Sequence, residues 1–231
     1  MRKLKVLCAC EESQAVTIEL RRLGHEAYSC DLEECSGGHP EWHIQGDVLP
    51  LLNGRCRFET MDGVEHEISG RWDVLFAFPP CTYLTLAGNK WFKPEYRERF
   101  PTRNQDREEA VEFFMKFVNA DREKIAIENP IGIMSTRYRK PDQITSPHKH
   151  GHNEKKPTCF WYKNLNPIKD GTVVEPEIIE CKSGAREPRW HMETMGLPAH
   201  ERSKARSKTY HGIAVAMAEQ WAGQAQEVNH E

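Results

Sequence analysis

No stretch of about 18 apolar residues occurs in this 231-residue chain, which leaves no candidate for a membrane-spanning helix and makes a membrane partner unexpected. The opening MRKLKVLCACEES is basic, but its apolar part is too short for a secretory signal and reads as a strand. Neither sign of charge dominates. The 32 Lys and Arg against 35 Asp and Glu leave a net −3, so the whole molecule is not an electrostatic adhesive for nucleic acid. Repeats and low-complexity tracts are missing, and the length fits one domain with an appendage at the usual ~150 residues per domain. The G-x-G-x-x-G fingerprint is missing from 8–16, which argues against a dinucleotide cradle.

What is present is unevenly spread. Arg137 to Lys163 holds seven Lys or Arg against Asp142 and Glu154, and Arg186 to Lys208 holds six against three acids. A basic C-terminal half of this kind suits phosphates, or is an ordinary solvated surface. Eight cysteines without a secretory signal point to reduced thiols in a cytoplasm. Cys8 and Cys10 are expected on one face of a strand, by alternation. Cys30-x4-Cys35 with His39, and His148, His150 and His152 in HKHGH, are loose metal patterns. With no second knuckle of zinc spacing, no metal is assigned.

Hydrophobic periodicity predicts strands at 4–10, 26–31, 71–78, 124–129 and 156–164, and a hairpin over 54–70 around Asp62-Gly63. Helices are predicted over 13–25, 102–120 (Val111, Phe114, Met115 and Val118 on one side) and 209–224. Strands alternating with helices make an α/β doubly wound sheet. Segments 86–104 and 165–208 read as irregular.

In open α/β sheets ligands bind beyond the carboxyl ends of the strands, so the polar residues there are the candidates. The first strand delivers Glu11, Glu12 and Ser13, the second Asp31, and the segment WHIQGD delivers Asp47. Acids at the second and third strand ends are placed to accept from ribose hydroxyls and an adenine amino group. The 71–78 strand ends in Pro79-Pro80-Cys81, which holds the thiol on a stiff turn instead of in a core. The next ends in Glu128-Asn129-Pro130, where an apolar setting would raise the Glu128 pKa and make it a proton donor.

FAFPPCTYLTLAG (76–88) and IENPIG (127–132), in this order, resemble the Pro-Cys nucleophile and Glu-Asn motifs of cytosine-C5 methyltransferases. The resemblance covers most of 4–164 plus 206–221, with RSKTYHGIAVAMAEQW similar to that family's final helix. It implies a Rossmann-like sheet of the S-adenosylmethionine-dependent type, with a catalytic domain at 1–164 plus 206–231 and a short irregular insertion or reduced recognition region at 165–205. It implies Cys81 as nucleophile, Glu128 as proton donor, Asn129 orienting the Pro-Cys loop, and S-adenosyl-L-methionine held by Glu12, Ser13, Asp31, Leu32, Asp47 and Pro80. The chain departs from the pattern in three places. ACEES replaces the aromatic and Gly-rich turn, only about 40 residues separate 164 from 206, and GHNEKKPTCFW (151–161) stands where Gln-x-Arg-x-Arg would be. There Lys156 (or Lys155) is the substitute for the arginine at the base carbonyl.

The expected reaction is methyl transfer to carbon 5 of cytosine in DNA through a covalent Cys81 adduct, the base being flipped out of a duplex. Trp91, Phe92 and Arg97 would stack on it or cover it. The same chemistry on a free cytidine nucleotide, single strand or RNA is one alternative. A catalytically degenerate protein that binds nucleic acid or a partner is another. Adenine-N6 methylation fits less well, because a cysteine and not an aromatic follows Pro79-Pro80.

Overall fold

The computed structural model describes residues 1–53, 56–181 and 184–226. In chain order the strands are β1 (Lys5–Ala9), β2 (Glu26–Asp31), β3 (His43–Gln45), β4 (Cys56–Glu59), β5 (Glu65–Ile68), β6 (Val74–Ala77), β7 (Lys124–Pro130), β8 (Gln143–Thr145), β9 (Thr158–Lys163), β10 (Ile178–Glu180) and β11 (Arg186–Pro188). The α-helices are α1 (Ala15–Arg22), α2 (Arg103–Val118), α3 (Met134–Arg137), α4 (Arg189–Met195), α5 (Ala199–Ser207) and α6 (His211–Met217). A π-type turn, Ala218–Ala222, prolongs α6.

Seven strands form one sheet in the order β3-β2-β1-β6-β7-β9-β8. Only β9 runs against the others, antiparallel to both β7 and β8. The result is an α/β architecture flanked by helices and compatible with a Rossmann-like fold. Alternation along each strand divides the core into two layers. Leu7, Ala9, Leu75, Ala77, Ile125 and Ile127 pack with Phe114 and Phe117 of α2 and with Phe58 and Trp72. Val6, Cys8, Val74, Phe76, Ala126 and Phe160 pack with Val16 and Leu20 of α1 and Ile213, Met217 and Trp221 near the C-terminus. These strands are buried on both sides, which is why their sequences read as near-continuous apolar runs.

The hairpin forms as β4–β5, turning at Asp62-Gly63 with Gly63 at φ +83°; Gly54 and Arg55 of the expected 54–70 range lie outside the described residues. Three expectations need correcting. Cys8 and Cys10 do not share a face: Cys8 enters the α1/α6 layer, whereas Cys10 (φ 59°) leaves the strand in a left-handed conformation and packs on the other layer. Segment 165–208 is not irregular, since it holds β10–β11, α4 and α5, whose exposed surfaces carry no strong apolar period. Segment 86–104 is built of 3₁₀ turns at Leu86–Phe92 and Pro94–Tyr96. Among the described residues, no helix is long and apolar enough to cross a membrane.

Candidate active site

Parallel β6 and β7 end side by side, so the two chain segments that leave them meet. The Asn129 side-chain amide donates to the Pro79 carbonyl at 2.8 Å, a buried bond that pins the Pro-Pro-Cys turn to the β7 end. A second strap ties Leu84 to Ile133 through a 2.8 Å backbone bond and pairs Thr85 with Gly132. A Cβ on Gly132 would collide with the Leu84 carbonyl, so this approach requires glycine. The Asn129 side-chain oxygen is buried and has no hydrogen-bond partner among the described residues.

Cys81 is only partly buried and belongs to neither core layer. Burial pushes its thiol pKa up, the charge of Glu128 raises it further, and Lys156 lowers it. Burial likewise raises the Glu128 carboxyl, against the pull of Lys156. The three side chains therefore share one electrostatic neighbourhood. Among the described residues, no hydrogen-bond or ion-pair partner engages the Glu128 carboxyl. The Lys156 ammonium donates to the Lys208 carbonyl at 3.2 Å and lies 5.6 Å from the Tyr210 ring centre. Glu128, Lys156 and Thr158 line a small cleft of about 10 Å³ together with Lys208, Thr209, Tyr210 and Ile213. Tyr210, its phenol pushed up to about 12 by burial and by Glu154, was not among the residues singled out from the sequence, nor was Lys208. The match of 206–221 to a closing helix brought the segment into view, but not its place against Glu128.

Beyond β1, β2 and β3 a second set of polar groups gathers. The Asp31 carboxyl is raised, chiefly by burial, and its charge and that of Asp47 both act on Cys10 and Cys30. Asp47 is exposed and accepts from the Leu49 amide at 3.0 Å. Leu32 is 74% exposed, Pro80 is exposed and Ser13 is partly buried. Glu12 holds one carboxylate oxygen buried with no partner among the described residues and the other 3.7 Å from the Lys204 ammonium.

Glu11 has a different task. Buried at the start of α1, it accepts from the Val16 amide at 2.6 Å, the Thr17 amide at 3.3 Å and the Thr17 hydroxyl at 2.7 Å. Burial pushes its carboxyl up to about 7. A helix N-terminus beside a first strand is the usual seat for a phosphate, and here the chain's own carboxylate takes those donors. Gln14, left-handed at φ 58° and fully buried, fills the rest of the turn and is packed tightly by Gly37. Glu12, Asp31 and Asp47 place acceptors at this rim, the Asp31 carboxyl already accepting from the Glu33 amide at 3.0 Å.

The metal patterns resolve into ordinary contacts. His39 stacks on Trp42, His150 bonds Thr145 and His148 bonds Ser146. His152 accepts from the Gly212 amide at 2.9 Å. Among the described residues no group of His, Cys, Asp and Glu is arranged to hold a metal ion. Three of the seven basic residues of 137–163 are paired within the chain: Arg137 with Glu108, Arg139 with Asp142 and Lys149 with Asp170. The 86–104 rings are engaged too, Phe92 lying 3.2 Å beneath the Arg107 guanidinium and Trp91 edge-on to Tyr96 and Phe100. Arg97 is exposed. Models of known protein families do not match the chain, and no curated protein sequence matches it either.

Proposed function

We propose that this chain transfers a methyl group from S-adenosyl-L-methionine to carbon 5 of a cytosine, DNA being the first substrate to test. The observation that carries the reading is that Cys81 after β6, Glu128 near the end of β7 and Lys156 just before β9 act on one another by charge, with Asn129 fastening the turn that presents the thiol. The cofactor supplies an electrophilic methyl group on a cationic sulfur. Glu12, Asp31 and Asp47 would hold its ammonium, ribose and adenine, with Leu32 and Pro80 against the base and Ser13 near the amino-acid end.

Cytosine C5 is a weak nucleophile, so the residues must make it stronger. The Cys81 thiolate adds to C6, forming the S–C6 bond and moving the ring electrons toward C5. Glu128 places its proton at N3, where the negative charge would otherwise collect, and the Lys156 ammonium faces the same anion. Once C5 carries the methyl group, a base removes the C5 proton, the S–C6 bond breaks, and Cys81 leaves as the thiolate. Lysine supports a carbonyl as a point charge, not as the fork an arginine would offer.

Incubation with S-adenosylmethionine and DNA carrying 5-fluorocytosine tests the reaction class. Fluorine at C5 cannot leave as a proton, so the adduct should persist and appear as a protein–DNA mass in intact mass analysis. Absence of any adduct with duplex, single strand or nucleotide would refute the reading. One observation favours a smaller target than duplex DNA: the described side chains of α4 and α5 are all at least partly exposed, so the region between 164 and 206 forms no compact module for reaching base edges in a groove. Competition among nucleotide, single strand and duplex separates the two.

The cofactor half makes its own prediction. Asp31→Ala should weaken binding of S-adenosylhomocysteine by about 1–3 kcal/mol in calorimetry, the loss expected for a charge-assisted hydrogen bond. Unchanged affinity would mean that the ribose is held elsewhere.

A further inference from the structure

Helices α4 and α5 are bound to each other by side chains, and α4 is also tied to the segment beside β10–β11, where the Arg189 amide donates to the Glu177 carbonyl at 3.0 Å and its guanidinium pairs with the Glu177 carboxylate at 3.6 Å. Arg202 donates to the Met195 and Leu197 carbonyls, and Arg206 donates to the Thr194 hydroxyl at 2.8 Å and the His191 carbonyl at 3.0 Å. The pair is thus cross-linked, helix to helix. None of its described side chains is buried, so no apolar anchor fastens it to the sheet. Among the described residues its polar ties to the α/β body are the Trp190 indole on the Lys155 carbonyl at 3.1 Å and the Lys204 ammonium. Lys204 reaches Glu12, beyond β1, at 3.7 Å and Glu33, beyond β2, at 4.0 Å. It therefore spans the ends of the two strands between which a nucleoside would enter.

We propose that α4–α5 is a strap latched across the cofactor cleft by Lys204, and that the ammonium of an S-adenosyl amino acid displaces this lysine as it binds. The inference rests on the cofactor reading above. Partly exposed pairs at this separation are weak, so the latch yields to a ligand that brings its own cation and better geometry. Such a ligand also finds the buried Glu12 oxygen that has no partner among the described residues. The strap continues directly into Lys208, whose carbonyl holds the Lys156 ammonium, and into Tyr210. Opening the latch at the cofactor end therefore moves a segment that lines the Glu128 cleft, which links the two halves of the site.

The test compares wild type, Lys204→Met and Lys204→Arg in calorimetry with two neutral probes. S-adenosylhomocysteine carries the ammonium, and methylthioadenosine lacks the amino-acid end. Lys204→Met should bind S-adenosylhomocysteine about three- to five-fold more tightly, with methylthioadenosine unchanged and Lys204→Arg close to wild type. Cleavage by an arginine-specific protease after Arg202 and Arg206 should accelerate in Lys204→Met without ligand. In wild type it should accelerate with S-adenosylhomocysteine but not with methylthioadenosine. Equal binding by all three proteins, with cleavage unaffected by ligand, would overturn the strap and leave the cofactor reading intact. If none of the proteins binds either probe, the cofactor reading itself falls and takes the strap with it.

Discussion

Cys81→Ser should abolish the 5-fluorocytosine adduct and lower methyl transfer by about 10⁴-fold or more, while cofactor affinity stays at the wild-type value. The hydroxyl is isosteric enough to keep the turn, because the turn is held by the Asn129 bond to the Pro79 carbonyl and by the Leu84–Ile133 strap, neither of which involves the sulfur. What is lost is nucleophilicity: a serine hydroxyl is far less acidic than a thiol, and the raised thiol at this position shows that the surroundings do not favour an anion unaided. Lys156 favours the anion by its charge. Intact mass analysis for the adduct and calorimetry for the cofactor check the two halves separately. A serine variant that still forms the adduct would move the nucleophile to another cysteine.

Glu128→Gln should cost about 10²–10⁴-fold in rate and change the shape of the pH profile. The reactive form needs a Cys81 thiolate and a protonated Glu128, yet the thiol pKa is raised above the ordinary thiol value and the carboxyl, though raised, starts from 4.5. Between the two values the dominant form is thiol plus carboxylate, and the reactive form is its proton tautomer, present in constant proportion. Below the carboxyl pKa a proton must first be removed, so the rate rises with pH. Above the thiol pKa the Glu128 proton is gone, so the rate falls. The wild-type profile is then a plateau whose acid limb reports the carboxyl and whose alkaline limb reports the thiol, as macroscopic values of the pair. Glutamine cannot ionise, so the variant should lose the alkaline fall and rise steadily through the thiol pKa. That pKa should itself move down, because the Glu128 charge no longer opposes the thiolate. A variant profile still falling at high pH would place the essential proton on another group.

The parts of the fold that could be read from the sequence are those whose residues repeat a physical signal locally. β1 and β6 are short apolar runs because both faces are covered, β2, β7 and β9 carry apolar stretches, and α2 carries its apolar stripe, although its deepest pair is Phe114 and Phe117 and not the whole predicted row. β8 was missed because three residues at a sheet edge, with Ile144 half exposed, give neither a run nor an alternation. α4 and α5 were missed for the complementary reason: helices that bury nothing have no hydrophobic period to show. Glu11, read with Glu12 and Ser13 at the end of β1, caps its own helix, a role that one dimension does not separate from that of a carboxylate awaiting a ligand.

By itself the sequence determined the alternation of strand and helix, and it determined which chemistry-bearing residues close each strand: Asp31, Pro79-Pro80-Cys81 and Glu128-Asn129. Adjacency along the chain is enough for that, since a residue that ends a strand is carried to one rim of a parallel sheet wherever the strand lies. Only the tertiary structure decided that β6 and β7 are neighbours, so that Cys81, Glu128 and Lys156 share one field, and that Lys208 and Tyr210 fold back across some fifty residues to line the same cleft. It alone decided that Lys204 closes on Glu12 and Glu33. Contacts between distant segments depend on strand order and on which helices find a surface to bury, and neither is written in the spacing of residues along one segment.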